Sequence, residues 1–136
     1  MLMITPNASA VAAHVWHASG EAKTVCTSSI LAALGVDAST YRYSGRSSQR
    51  KAILRRVGYA VRSRLSRLKR KTVGGSRSAI RKMDDPVGTK YMLTLVSGSY
   101  GHAILLDDSG ATVVDTDPRE ADRRIVVAIH AVFPKA

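Results

Sequence analysis

The 136-residue chain contains one cysteine, Cys26, and no clustering of Cys and His at zinc-finger spacing. An internal disulfide is thereby excluded, and a reducing compartment is expected. Aromatic residues are scarce, with one Trp and one Phe, so the core must be assembled from Val, Ile, Leu and Ala. No apolar run approaches the roughly 18 residues of a membrane span. Residues 1–20 have no basic flank, and Pro6, Asn7, His14 and His17 interrupt their apolar positions. They do not read as a secretory signal, and a cytoplasmic location is expected. Acidic side chains are missing from one long region. Residues 45–82 hold 14 of the 21 Lys and Arg and no Asp or Glu. The rest of the chain has seven basic against ten acidic residues, so this segment is the source of the formal net charge of +11.

The length fits one domain, 1–136, able to bury roughly two-thirds of the surface its unfolded chain exposes. Residues 7–17 read as a short helix capped by Asn7 or Ser9, with Val11, Val15 and Trp16 turned inward. Residues 24–34 read as a clearer one, with Thr24 or Thr27 as cap, Ile30, Leu31 and Leu34 on one side, and Gly35 as terminator. Residues 47–57 form a basic helix with an apolar stripe of Ile53, Leu54 and Val57, stopped near Gly58. The following run fits strand, loop or helix up to the break at Gly74-Gly75, and residues 76–83 suggest another short helix. Beyond Pro86 the period changes to two. Four antiparallel strands are expected at 91–98, 102–108, 111–117 and 123–133, separated by Gly98-Ser99, Ser109-Gly110 and Pro118. The fold class is α+β, a mainly helical 1–83 packed on a sheet spanning 88–134.

That division places Cys26 on the helical half and His102, 76 residues later, on the sheet, followed by Asp115-Thr116-Asp117-Pro118. Cysteine, histidine and carboxylate together are the parts of a thiol-dependent acyl-transfer site. The thiol attacks as thiolate, an imidazole takes its proton, and a third group fixes the imidazole's tautomer. Placement in the first turn of a helix would lower the thiol pKa further, and the Cys26 N–H would form half of an oxyanion hole. A turn centred on Ser109-Gly110 puts residue 117 opposite His102, favouring Asp117, and a bulge would shift the partner to Asp115. His14 and His17, three residues apart, lack further ligands nearby, so neither a metal nor a cofactor is expected. His130 reads as a sheet residue.

The order of Cys26 near a helix start, Gly101-His102-Ala103-Ile104-Leu105-Leu106 and Asp117-Pro118 resembles the papain-like cysteine peptidases. The match is nearest to the group that processes double-glycine leaders of bacteriocins. It spans roughly residues 20–118 and rests on short motifs. The resemblance implies a papain-like fold, with Cys26 as nucleophile, His102 as base and Asp117 as orienter of the base. The chain departs from the family at Gly20, where a glutamine usually donates to the oxyanion, and at Thr27, where glycine is common. Glu21, Lys23 and His17 stand near the missing donor.

The basic segment implies a phosphate-rich or acidic partner, a nucleic acid or an acidic host protein, met by Arg46, Arg50, Lys51, Arg55, Arg56, Arg62, Arg64, Arg67, Lys69, Arg70 and Lys71. Tyr41, Tyr43 and Tyr59 flank it as stacking groups. Two functions are therefore expected as alternatives: a papain-like peptidase or acyltransferase acting on a peptide or protein, or a catalytically silent papain-like binding protein. The small size and dense arginine content suit a phage or mobile-element protein working in a host cytoplasm.

Overall fold

The computed structural model describes residues 22–37, 47–64, 72–97, 100–117, 119 and 121–135. These form a mixed α+β arrangement of three helices and a five-stranded antiparallel sheet. Helix α1 spans Ala22–Ala33, α2 Ser47–Arg56 and α3 Val73–Ile80. The strands are β1 Tyr59–Ser63, β2 Lys90–Ser97, β3 Tyr100–Leu106, β4 Thr112–Val114 and β5 Val126–Pro134, in the order β1-β5-β2-β3-β4. A short 3₁₀ turn, Ala121–Arg123, precedes β5. The helix expected over residues 7–17 lies outside the described residues.

Local chemistry explains the boundaries. Gly35, at φ 78, ends α1 in the left-handed conformation. Val36 N then donates to Leu31 O and Gly35 N to Ala32 O, which satisfies the last carbonyls of the helix. Gly58, at φ 103, reverses the chain between α2 and β1. Strand β1 is the fifth strand, from a stretch whose sequence left strand, loop and helix open. It pairs with β5, buries Val61, and is tied to the end of α1 by Tyr59 Oη donating to Leu34 O at 2.7 Å.

Two boundaries differ from expectation. Gly74-Gly75 does not break the chain but lies in the first turn of α3, because Thr72 caps that helix by accepting from Gly75 N at 3.1 Å. Position 74 favours glycine for space, since a Cβ there would meet Asp122 at 3.3 Å. Val57 is 39% exposed rather than part of the buried stripe, since α2 has ended one residue earlier.

The sheet lies between two apolar layers. On one face Val61, Met92, Ala103, Leu105, Val114 and Val132 pack with Cys26, Ile30 and Leu31 of α1 and Ile53 and Leu54 of α2. On the other, Tyr91, Leu93, Leu95, Ile104, Leu106, Ile129 and Ala131 pack with Val73 and Ile80 of α3. The alternation along β2, β3 and β5 assigns successive residues to opposite layers.

Candidate active site

Helix α1 presents Cys26 to β3 because Cys26 and Ile30 lie four residues apart on its sheet-facing side. The helix begins at Ala22, so Cys26 is its fifth residue, not part of the first turn. Its N–H therefore has an intrahelical acceptor four residues back and is not a free oxyanion donor. The stabilisation of a thiolate has to come from elsewhere in the fold.

It comes from the sheet. Cys26 Sγ lies 2.8 Å from His102 Nδ1 and 3.8 Å from Thr116 Oγ1, and the Ala103 N–H also bonds the sulfur. His102 stands one residue before Ala103, where the ladder between β3 and β4, which reaches only Leu105 and Leu106, has already ended. Its second nitrogen, Nε2, is 3.0 Å from Asp115 Oδ1. The imidazole thus bridges sulfur and carboxylate.

Asp115, not Asp117, is the carboxylate on His102. Strand β4 stops at Val114 and the chain bends at Thr116. The ladder therefore never extends to set residue 117 opposite 102. The bend is closed by Asp117 N donating to Asp115 Oδ1 at 3.0 Å. Asp117, partly buried, instead accepts both arms of Arg119, at 2.7 and 2.8 Å. Arg124 fastens the bend from the other side, donating to Asp115 Oδ2 at 2.5 Å and to Asp117 O at 2.7 Å.

The electrostatics favour an ion pair. Burial pushes the Cys26 thiol up, but the hydrogen bond and charge of His102, with Ala103 N–H and Thr116, bring it below its ordinary value. Burial pushes His102 down, and Asp115 and Cys26 outweigh this, raising it to about 9. Burial likewise opposes ionisation of Asp115, which His102 and Arg124 nonetheless hold below the usual carboxylate range. Both shifts favour thiolate and imidazolium over the neutral pair, a form in which Nδ1–H donates to sulfur and Nε2–H to Asp115.

The basic residues divide. Arg50 is 3% exposed and donates to Thr27 Oγ1 at 2.9 Å, so it is an interior group and not a surface contact. Arg64 is engaged by Asp85 at 2.5 Å, an aspartate that also accepts from Tyr91. Arg55 donates to Val61 O, and Arg62 lies over the Phe133 ring at 6.0 Å. Arg55, Arg56 and Arg62 are exposed and Lys51 partly so. Arg46, Arg67, Lys69, Arg70 and Lys71 lie outside the described residues, as do Tyr41 and Tyr43, and so do Gly20, Glu21, His14 and His17. His130 is buried on the α2 side of the sheet, and burial, then Lys51, Arg55 and Arg50, lower it to about 4.

Three residues of the site escaped sequence reasoning. Arg50 carried a usable signal, since it precedes Ile53 and Leu54 by three and four residues and so falls on the apolar stripe of α2. Thr116 and Arg124 carried none, because only the bend after β4 brings them to Cys26 and Asp115. Among the described residues no group of three or more His, Cys, Asp and Glu is arranged to hold a metal ion, and no helix is long and apolar enough to cross a membrane. No protein-family model matches the chain, and neither a curated protein nor a solved structure matches it.

Proposed function

We propose that the protein is a papain-like cysteine peptidase or acyltransferase acting on a peptide or amide bond. The observation that carries this reading is the continuous contact from Cys26 Sγ through both nitrogens of His102 to Asp115, at 2.8 and 3.0 Å. Cys26 thiolate attacks the carbonyl carbon, whose π electrons move to oxygen. The tetrahedral adduct then expels the amine as His102 Nδ1–H protonates its nitrogen, leaving a thioester on Cys26. A water molecule or acceptor amine gives its proton to His102 as it attacks the thioester, and the thiolate leaves. Asp115, held by Arg124, keeps the imidazole in register throughout.

The test is alkylation of Cys26 by iodoacetamide in the folded protein at about pH 6, where an ordinary thiol is almost unreactive. Rapid reaction that is lost in His102→Ala is expected. A thiol that stays silent until the protein unfolds overturns the reading.

One observation favours a second reading. Cys26 is 1% and His102 5% exposed, so the pair also fits an internal tie in a catalytically silent binding protein. Such a protein would meet a nucleic acid or an acidic host protein through exposed Arg55, Arg56 and Arg62 on α2 and β1. Affinity for DNA or RNA through that face must fall steeply with salt, and a flat salt response excludes a polyanion.

A further inference from the structure

Arg50 is buried on α2, and no other Lys or Arg among the described residues is buried to that degree. A guanidinium withdrawn from water is costly unless hydrogen bonds and negative charge compensate it. Its NH1 donates at 2.9 Å to the hydroxyl of Thr27, itself fully buried and next in sequence to Cys26. The phase of α2 turns position 50 toward α1. Ile53 and Leu54 share the core with Ile30, Leu31 and Cys26 of α1, and position 50 lies one turn earlier on the same face.

We infer that Arg50 is a positioning residue of the site: anchored on Thr27, its guanidinium fixes the second turn of α1 and sets a permanent positive charge beside the Cys26 sulfur. The inference rests on reading Cys26 as the nucleophile, and it names what replaces the dipole and free N–H groups that a cysteine in the first helical turn would have. Burial pulls Arg50 below its ordinary pKa, and negative charge on Cys26 pulls it back up. Because that attraction is mutual, the same charge favours thiolate over thiol.

The surrounding groups keep this effect constant with pH. Cys26 faces His102, and through it Asp115 and Arg124, from the sheet side, and Arg50 from α2. Around Arg50 stand Lys51 and Arg55 of the same helix and His130 of β5, which is neutral above about 4. Arginine stays protonated throughout. Arg50 should therefore shift the midpoint of the Cys26 titration without adding an inflection.

The experiment is an ultraviolet titration of the thiolate in the folded protein, which requires no reagent to reach the buried sulfur, with Cys26→Ser as the blank. It is run on wild type, Arg50→Met, Arg50→Lys and Thr27→Val, each checked for native circular dichroism. Arg50→Met should raise the midpoint measurably, the direction expected when a nearby opposite charge is deleted. Arg50→Lys, which keeps the charge, should stay near wild type, and Thr27→Val should shift the midpoint upward by less. A folded Arg50→Met with an unchanged midpoint overturns the inference. If neither arginine variant folds, Thr27→Val decides, and an unchanged midpoint there overturns it as well. A wild-type midpoint at the ordinary thiol value would instead sink the thiolate reading itself, so the two failures are distinct.

Discussion

The two faces of the sheet bury different chemistry. The face covered by α3 is an apolar cluster, and its one aromatic hydroxyl, on Tyr91, donates to Asp85 at the edge. The face covered by α1 and α2 buries Cys26, Thr27, Arg50 and His130 within its apolar residues, and His102 and Thr116 complete it at the edge of β3. Buried ionisable groups are poor sources of stability, because desolvation opposes their mutual attraction. Apolar burial on both faces therefore has to offset the cost of holding an ion pair out of water on the α1–α2 face. Substitutions on the two faces should separate chemistry from stability.

The largest expected effect is on the α1–α2 face. Cys26→Ala should abolish the proposed acyl transfer, a loss of roughly 10⁶-fold as for other covalent nucleophiles. Activity surviving in that variant would remove Cys26 from the chemistry. Next comes Asp115→Asn, which keeps the shape of the bend but removes the charge that raises His102. It should lower turnover by about 10²-fold or more and bring the imidazole pKa, read by NMR, down from about 9.

The α3 face should respond the other way. Leu93→Ala deletes a fully buried side chain and should cost about 2–5 kcal/mol of unfolding free energy, measured by denaturant titration. The thiolate midpoint should not move, since Leu93 lies on the opposite layer from Cys26. A shifted midpoint would show that the two layers are not independent.

These contrasts show which parts of the molecule were legible in its sequence. The meeting of Cys26 with His102 was, because each stands beside an element with a clear period, a helix of spacing three to four and a strand of spacing two. The sheet was largely so, except for β1. There Tyr59 and Val61 alternate with small or basic residues, a pattern that also fits a loop, and pairing with β5 decides it. The choice between Asp115 and Asp117 was not legible. It depends on where β4 stops, and a three-residue strand stopped by an Asx-type bend leaves no periodic trace. Arg50 was counted among the surface charges because composition, not helical phase, governed the reading of residues 45–82.

The pH dependence of stability gives a subtler contrast. His102 is raised from 6.5 to about 9, so its contribution is complete below 6.5 and is lost as pH rises through 9. Cys26 is lowered from 9.0, so its contribution is complete above 9.0 and is lost as pH falls through its folded value. Where the folded chain holds Cys26 as thiolate and His102 as imidazolium, above the folded Cys26 value and the unfolded 6.5 of histidine and below about 9, folded and unfolded chains bind one proton each at this pair and the opposing slopes cancel. Unfolding free energy should be flat with respect to the pair across that window. Cys26→Ser removes one side of the cancellation, so its stability should fall with rising pH over the same interval as Asp115 alone holds the imidazole charged. Parallel curves for wild type and variant would rule out the ion pair.

The smallest effect is expected two residues from the site. Asp115–Arg124 and Asp117–Arg119 are both carboxylate–guanidinium pairs, at 2.5 and 2.7 Å, yet they differ in surroundings. The first is almost wholly enclosed and touches His102, whereas the arginine of the second is largely exposed. Exposed pairs contribute about 0–1 kcal/mol, because water screens the attraction and two flexible side chains must be ordered. Arg119→Ala should therefore leave the melting temperature and the thiolate midpoint nearly unchanged. Arg124→Ala, which strips Asp115 and the Asp117 carbonyl of their donor, should loosen the bend and weaken the hold on His102. Equal effects of the two substitutions, read as thiolate midpoints side by side, would mean that the bend is held by the 115–117 backbone alone and that Arg124 has no part in the site.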